Sequence, residues 1–297
     1  MFQDELRKYV VTSGLVNMKP AGDGIFVLKY KKTVFFNDLW NKYLEECRGT
    51  IVDKDFNLMS YPFQKIYNLG VEARAPKLSD DTEVTAFRKV NGFMIACTWW
   101  NGDVLVSTTG STDSDYVAMA KEMMLSHMPW VDWQLAFNRA DMDNLTVMFE
   151  CVHPNDPHIV PEKAGMYVLG YRDNTWGSKV GHDSSILEGL ARDFNCHVPE
   201  HYKVTLGKLK AMTKECKHEG YVAYTQDGVS FKIKSPFYLT NKWVARNPRT
   251  DKLMREDFKK QIDEEYYPLL SAIQADIEAY TAKTEQERLA WVREQLA

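Results

Sequence analysis

Short segments of alternating apolar and polar residues, joined by turn residues, constrain the fold of this chain more than any other feature. Residues 83–111, EVTAFRKVNGFMIACTWWNGDVLVSTTGS, place β-rich runs on both sides of the pair Asn101-Gly102. An Asn-Gly pair between such runs predicts a hairpin with a two-residue turn. Residues 25–36 and 49–63 alternate in the same way, and β-rich runs return at LTVMFECV, GMYVLGYR, GYVAYT and VSFKIK.

Helical periodicity interrupts these strands at only a few places. Residues 115–128 and 185–195 space their apolar residues as an amphipathic helix does. Regular alternation of strand and helix, which a doubly wound parallel sheet requires, is missing. The sequence therefore predicts an α+β fold in which antiparallel sheets are flanked by helices.

The character of the sequence changes after about residue 250, where helix formers replace strand formers. Pro268 is expected to kink or divide the first helix of this part. Thr284 and Glu287 form a capping-box pattern that predicts the start of the last one. We therefore predict a main domain over residues 1–245 and a small helical domain over residues 246–297.

The bulk properties narrow the class of protein. The net charge of −4 gives no global basic signal, so a polyanion would have to bind to a local cluster of cations. The five cysteines are scattered without CxxC spacing, and no segment has the apolar length of a signal peptide or membrane span. These features predict a cytoplasmic protein with reduced thiols. The sequence also lacks the GxxxxGK[ST], GxGxxG, HExxH and GxSxG motifs.

Lys89, in FRKVNGFM, is either a surface lysine at a hairpin or a nucleophile held in a pocket. A lysine attacks phosphorus only as the free amine, although its ordinary pKa is about 10.4. Nearby cations and partial desolvation lower that pKa. Lys232 and Lys234 in FKIK share one face of a strand, and each could be such a cation or simply part of a solvated face.

Four further residues could support such a lysine. Arg48 lies in the CRG turn before a strand, and Lys65 follows PFQ at the end of one. Glu150 lies among apolar residues in VMFECV, and Glu219 precedes the strand GYVAY. A buried carboxylate must be paired or hydrogen-bonded. Both glutamates could therefore serve a site or only pair with lysines at the edge of the core.

Taken together and in order, these segments resemble the motifs of the covalent nucleotidyltransferases, which include ATP-dependent ligases and mRNA capping enzymes. RKVNGF resembles the KxxG nucleophile motif, and ECRGTIV resembles an Arg-Gly motif upstream of it. The motifs that follow the nucleophile, III, IIIa, IV and V, are matched in order by FECV, MYVLGYRDN, EGYVAY and FKIK. ECRG, PFQKIYN, STTGS and PNDPHIV are most similar to the RNA ligase 1 family known from bacteriophage T4. A DNA ligase or capping enzyme would be expected to carry a β-barrel after FKIK, where this chain has a helical segment.

The resemblance implies a role for each matching residue. Lys89 would attack the α-phosphate of ATP to form a lysyl-adenylate, and Lys232 and Lys234 would neutralise that phosphate. Arg48 and Lys65 would contact the nucleotide or its phosphates, Glu150 would hydrogen-bond the ribose, and Tyr167 would stack on the adenine. Gly92 would let the backbone come close to the nucleotide, and Glu219 would help to hold Mg²⁺, or Mn²⁺ in its place.

Two positions depart from the family pattern. Many relatives carry aspartate where this chain has Asn91, an isosteric but uncharged side chain. The basic residue that relatives have in the segment before GS is replaced by Thr109. Each change puts one electrostatic contact of the family in doubt.

The resemblance implies an ATP-dependent RNA ligase that joins 5′-phosphate and 3′-hydroxyl RNA ends. It also implies a monomer with no membrane association, acting in RNA repair, with nicked tRNA as a substrate and the host cytoplasm as its location if it is phage-encoded. The alternatives are a DNA-joining or capping nucleotidyltransferase, and a non-catalytic protein that binds RNA ends.

Overall fold

The computed structural model describes residues 2–22, 24–156, 158, 160–246, 253–255, 257–262 and 264–296. The chain divides into two compact units. The first unit comprises residues 1–65, 92–157 and 162–199, and the second unit comprises residues 66–91, 158–161 and 200–297.

The helices and strands follow the α+β pattern. In chain order they are α1 (Phe2–Ser13), β1 (Val16–Pro20), β2 (Ile25–Tyr30), α2 (Lys32–Phe36), β3 (Arg48–Asp53), β4 (Leu58–Ser60), β5 (Tyr67–Asn68), β6 (Glu83–Arg88), β7 (Phe93–Trp100), β8 (Asp103–Thr108), α3 (Asp115–His127), α4 (Trp130–Phe137), β9 (Leu145–Val152), β10 (Gly165–Asp173), α5 (Ser184–Asp193), β11 (His201–Thr205), α6 (Leu206–Glu215), β12 (Gly220–Thr225), β13 (Ser230–Lys234), α7 (Pro236–Arg246), α8 (Tyr267–Ala275), α9 (Ile277–Ala282) and α10 (Glu285–Leu296).

Two antiparallel sheets form the first unit. One has the strand order β1-β2-β3-β4 and the other β10-β9-β7-β8. The second sheet packs against an aromatic cluster from α4 and the end of α5, in which Trp133 stacks on Phe194 with ring centroids 5.1 Å apart. Phe137 and Phe149 complete this buried cluster.

A five-stranded sheet in the order β11-β6-β12-β13-β5 organises the second unit. Its pairs are antiparallel except for the short parallel pair of β13 with β5. Leu206 and Leu209 of α6 pack on Ala223 and Phe231 of the sheet. The later helices bury a separate apolar cluster around Trp243 and Leu269.

Most of the predicted elements are confirmed. Asn101 and Gly102 have φ of 52° and 80°, as the predicted hairpin turn requires, and the helices predicted at 115–128 and 185–195 are α3 and α5. The mixed α+β class with antiparallel sheets is confirmed as well. The prediction of a strand through residue 36 is wrong, because β2 ends at Tyr30 and α2 follows. A short apolar run such as VFF does not distinguish strand from helix.

The C-terminal signals are confirmed at the local level. The Thr284 hydroxyl accepts from the Glu287 backbone N–H at 3.3 Å, and the Glu287 carboxylate accepts from the Thr284 N–H at 2.7 Å, which is a capping box at the start of α10. Pro268 lies in the first turn of α8, after 3₁₀ turns at Phe258–Gln261 and Glu264–Tyr266.

The domain division at 245/246 stays a prediction, and residues 247–252 after it lie outside the described residues, as do Pro157 and Ile159 of PNDPHIV. Within the described part of the chain, no helix has the length and apolarity to cross a membrane.

Candidate active site

Lys89 of the second unit is held beside a buried carboxylate. It directly follows β6, and its backbone N–H donates to the Gly220 carbonyl at 2.8 Å, which ties it to the start of β12. Its Nζ lies 2.9 Å from Oε2 of Glu219, and 24% of the lysine side chain but only 6% of the glutamate side chain is exposed. The structure therefore places Lys89 in a partly buried ion pair, in contrast to a freely solvated hairpin lysine.

Asn91 completes this cluster from the loop between β6 and β7. Its Nδ2 donates to the same Oε2 of Glu219 at 2.8 Å, and the residue is 4% exposed. No described residue hydrogen-bonds to its Oδ1. The neutral amide thus adds a donor to Glu219 at the position where many relatives would bring a second carboxylate.

Further cations determine the charge state of Glu219. Burial by itself raises the pKa of the carboxyl, but the attraction of Lys89, Lys234 and Lys242 outweighs burial and leaves the pKa below its ordinary value. Lys242 on α7 is 5% exposed, with Nζ 5.7 Å from the ring centroids of both Tyr238 and Tyr266. Lys242 was not among the residues predicted from the sequence.

Lys232 and Lys234 lie where the alternation of FKIK placed them. Both are on β13, with Lys234 paired in register with Gly220 and Lys232 with Val222 of β12. A Cβ at Gly220 would lie 2.1 Å from the Ile233 carbonyl oxygen, so only glycine allows this close pairing beside Glu219. The Nζ of Lys234 lies 5.6 Å from the Tyr238 ring centroid.

Glu150, Gly92 and Tyr167 form a separate group in the first unit. Glu150 on β9 is 7% exposed, and its Oε1 accepts from the Gly92 backbone N–H at 3.0 Å. A Cβ at Gly92 would lie 2.3 Å from the Cys151 carbonyl oxygen. Contact with β9 therefore requires glycine at this position.

Tyr167 lies opposite Glu150 in the pairing of β10 with β9. It is 8% exposed, its hydroxyl donates to the Lys163 carbonyl at 2.9 Å, and its ring centroid lies 5.2 Å from that of His197. The ring is therefore already packed on His197, and its contact with adenine stays a prediction.

Arg48 begins β3 next to the turn that contains Thr109. Gly49 has φ of 96°, and a Cβ there would lie 2.8 Å from the Thr109 Cα. Lys29 of β2 pairs in register with Arg48, and a Cβ at Gly110 would lie 2.7 Å from the Lys29 Nζ. Partial burial and then the charges of Arg48 and Lys32 lower the pKa of Lys29. Lys29, which the sequence analysis missed, thus adds a cation beside this turn.

Lys65 is held by aromatic rings. The residue is 7% exposed, and its Nζ lies 4.8 Å from the ring centroid of Trp40 and 5.7 Å from that of Phe35. Ring faces attract a cation, so these two side chains help to hold the Lys65 side chain in place.

Two other residues of the matched motifs, Arg172 and Glu46, form an ion pair with each other. Arg172 of MYVLGYRDN is 2% exposed and donates to Glu46 of ECRG at 3.0 and 3.3 Å. It also donates to the Pro62 and Ser178 carbonyls, and its guanidinium lies 3.3 Å from the Tyr61 ring centroid. This buried network joins the two motifs through packing.

The predicted site residues thus fall into two groups. Lys89, Glu219, Lys232 and Lys234 belong to the second unit, while the first unit carries the others: Arg48, Lys65, Gly92, Glu150 and Tyr167. Within the second unit, Lys89 and Glu219 are in direct contact. Among the described residues, no three His, Cys, Asp or Glu side chains are grouped as metal ligands.

Comparison with known proteins identifies what this arrangement is similar to. Residues 46–267, more than half of the chain, match the model of the T4 RNA ligase 1 family, described as RNA ligase. Among solved structures, the fold is similar to an archaeal ATP-dependent RNA ligase, in one form with a TM-score of 0.61, 13% identity, and coverage of 98% of this chain and 76% of that chain. It is similar also to a protein from Aquifex aeolicus provisionally described as an ATP-dependent DNA ligase, with a TM-score of 0.61, 14% identity, and coverage of 99% and 78%.

Proposed function

We propose that this chain, which belongs to the RNA ligase family, is an ATP-dependent RNA ligase and that Lys89 is its nucleophile. The observation that carries the proposal is the contact of Lys89 with a buried carboxylate that other cations also attract. An ordinary surface lysine has no need of such surroundings. A nucleophilic lysine must be oriented toward the phosphorus, and contact with a buried carboxylate fixes the position of its Nζ.

In the first step, the Lys89 Nζ attacks the α-phosphorus of ATP. An N–P bond forms, the bond from that phosphorus to the bridging oxygen breaks, and pyrophosphate leaves. Before the attack, the ammonium gives a proton to water, which leaves the free amine as the nucleophile. Its ion pair with Glu219 stabilises the charged form, so attack requires Glu219 to take another positive partner. Lys234 and Lys242 are suited to this, because both already attract the carboxylate.

Two further steps complete the proposed reaction. A terminal 5′-phosphate oxygen of the RNA attacks the adenylate phosphorus and displaces the Lys89 nitrogen, which gives RNA-adenylate. The 3′-hydroxyl then attacks the 5′-phosphate, a phosphodiester bond forms, and AMP leaves. Both are phosphoryl-type transfers, for which positioning and cationic stabilisation supply most of the catalysis. Lys232 and Lys234 would neutralise charge on the transferred phosphate.

A divalent metal, Mg²⁺ or Mn²⁺, fits this chemistry through one protein carboxylate. Mg²⁺ in nucleotide sites is commonly held by one or two carboxylates together with substrate phosphates and water. Glu219 is a charged, buried carboxylate of that kind. The metal would supply charge neutralisation on the phosphates when bound.

For the first unit, the proposed roles concern the nucleotide. Arg48 and Lys65 would contact its phosphates, Glu150 the ribose and Tyr167 the adenine, and Gly92 would allow close backbone approach. The Gly92–Glu150 hydrogen bond supports this assignment for Glu150. Because the bond fixes one oxygen of the carboxylate, it also sets the orientation of the other oxygen. The protein would act as a monomer.

Ligation with defined ends tests this function. The protein is incubated with ATP, Mg²⁺ and RNA that carries a 5′-phosphate and a 3′-hydroxyl, including nicked tRNA. Joined RNA and released AMP are expected, with no joining of 5′-hydroxyl ends. Preferential sealing of nicked duplex DNA, or transfer of GMP from GTP, would instead indicate a DNA ligase or a capping enzyme. RNA-end binding without any joining would indicate a non-catalytic protein.

A further inference from the structure

A large cavity in the second unit lies at the edge where β5 pairs with β13. Its volume is about 760 Å³, which is within the range of small-molecule and cofactor sites. Its walls come from the loop after β5, from α6, and from β13 with the start of α7. The lining residues are Asn68, Leu69, Gly70, Val71, Pro76, Lys77, Leu78, Leu206, Lys210, Thr213, Lys214, Lys232, Ile233, Lys234, Pro236 and Leu239.

Five of these described lining residues are lysines, and neither aspartate nor glutamate is among them. Lys210 and Lys214 lie four residues apart on α6 and therefore on one face of that helix. Lys77 adds a third cation from the loop after β5, and Lys210 forms an exposed ion pair with Asp80 at 2.6 Å. This concentration of positive charge contrasts with the chain's net charge of −4.

The cavity wall also contains an unsatisfied acceptor. Asn68 is 3% exposed, and its Nδ2 donates to Glu72 at 2.9 Å and to Glu264 at 3.1 Å, which fixes the amide orientation. No described residue hydrogen-bonds to its Oδ1. A buried acceptor without a donor is costly, and such groups are commonly satisfied by water or a ligand.

We propose that this cavity binds the sugar-phosphate backbone of the RNA substrate, an inference that rests on the proposed function. Five lysines among apolar lining residues could neutralise the phosphates of a bound strand, as the cations of single-strand binding grooves do. The described lining includes no aromatic ring for base stacking, so binding is independent of sequence. Lys232 and Lys234 belong both to the cavity and to the proposed phosphate-transfer group, so the strand bound here reaches the reacting phosphate.

Removal of the two outer lysines tests the inference. Lys77 and Lys214 are exposed and outside the proposed catalytic group, so Lys77→Ala/Lys214→Ala should fold normally. The matched control is Lys203→Ala/Lys208→Ala, in which both lysines are exposed and Lys208 is on α6, but neither lines the cavity. Binding of 5′-phosphorylated single-stranded RNA is measured by anisotropy from about 50 to 200 mM salt, because that range resolves phosphate contacts.

The variant should bind RNA more weakly, and its plot of log K against log salt should be less steep by about 1.4, since each single-strand phosphate contact contributes about 0.7. The control should match the unmutated protein. Self-adenylation needs no RNA and should be unchanged in both variants. Equal salt slopes in variant and control would overturn the inference. So would a variant that loses ATP binding while it keeps RNA affinity, because the cavity would then hold the nucleotide's phosphates.

The two proposals fail in distinguishable ways. If the unmutated protein does not become adenylated, the proposed function is wrong, whatever the RNA measurements show. If it is adenylated and the lysine pair has no effect on RNA binding, only the location of the RNA is wrong. The charge-reversal pair Lys77→Glu/Lys214→Glu should give a larger loss of RNA affinity than the alanine pair.

Discussion

Lys89 and Asn91 bind the same oxygen of Glu219, at 2.9 and 2.8 Å from its Oε2. One donor carries a full charge and the other is a neutral amide. Glu219 therefore accepts from one charged and one neutral donor at the same oxygen. In relatives with aspartate at this position, a second negative charge would be expected here.

Asn91→Asp should destabilise the protein at neutral pH. The change replaces a hydrogen bond with two carboxylates in contact, which raises the pKa of one of them above its value in the unfolded chain. A carboxyl group whose pKa is raised in the folded protein destabilises the fold most at pH values above that pKa. It has no such effect at pH values below its pKa in the unfolded chain. We expect a loss of about 1–3 kcal/mol at pH 7, typical of a disrupted buried hydrogen bond, that shrinks as the pH falls toward 4. Asn91→Leu, measured in parallel by urea unfolding, should lose stability without that pH dependence.

Glu219→Gln should also lose most stability near pH 7, because it removes a favourable charge, whereas Asn91→Asp adds an unfavourable one. The pKa of Glu219 is lowered in the folded protein, because Lys89, Lys234 and Lys242 outweigh the effect of burial. Its charge therefore stabilises the fold above its unfolded pKa of about 4.3, and that contribution is lost as the pH falls through the folded pKa. The stability difference between the two proteins should be largest near pH 7 and narrow below about pH 4. A difference that stays constant over this range would contradict the ion-pair assignment.

Gly92→Ala should be strongly destabilising, since its Cβ would lie 2.3 Å from the Cys151 carbonyl oxygen. Relief of such overpacking moves β9 and costs about 1–3 kcal/mol. Gly189→Ala on α5 is the matched control, because the nearest atom to its Cβ would be 3.9 Å away, at Arg192. In a helix interior that change should stabilise by about 0.5–1 kcal/mol. Thermal unfolding of both variants distinguishes a packing requirement from a general effect of adding a methyl group.

Glu46 and Arg172 should affect stability more than chemistry. Loss of one partner from a buried ion pair leaves an uncompensated charge and typically costs about 3–5 kcal/mol. Arg172→Met and Glu46→Gln should each lower stability, and the double variant should lose less than the sum of the two. Protein that remains folded should still become adenylated. Additive losses would show that the two side chains act independently.

Local features of the sequence predicted local structure well. Asn101-Gly102 and the Thr284–Glu287 pair specify a turn and a cap through neighbouring residues only. FKIK placed Lys232 and Lys234 on one face because strand residues alternate. The strand predicted after Tyr30 is wrong because the helix that forms there has only five residues, too few to show a helical period in the sequence.

The contacts that define the candidate site depend on tertiary structure. Asn91 and Glu219 are 128 residues apart, and no local pattern predicts that one amide and one lysine meet a single carboxylate oxygen. The aromatic cradle of Lys65 and the approach of Lys29 to Gly110 are likewise set by strand pairing and packing. The order of the motifs selected the candidate residues, whereas only the fold shows what each one contacts.

Covalent labelling of Lys89 tests the central claim most directly. The protein is incubated with Mg²⁺ and ATP labelled on the α-phosphate, then denatured and analysed for protein-bound label. We predict an acid-labile, alkali-stable phosphoramidate that maps to the peptide containing Lys89. Lys89→Ala and Lys89→Arg should both abolish it, while Lys208→Ala, an exposed lysine of α6, should retain it. Label that persists in folded Lys89→Ala, or that maps to another lysine, would contradict the account.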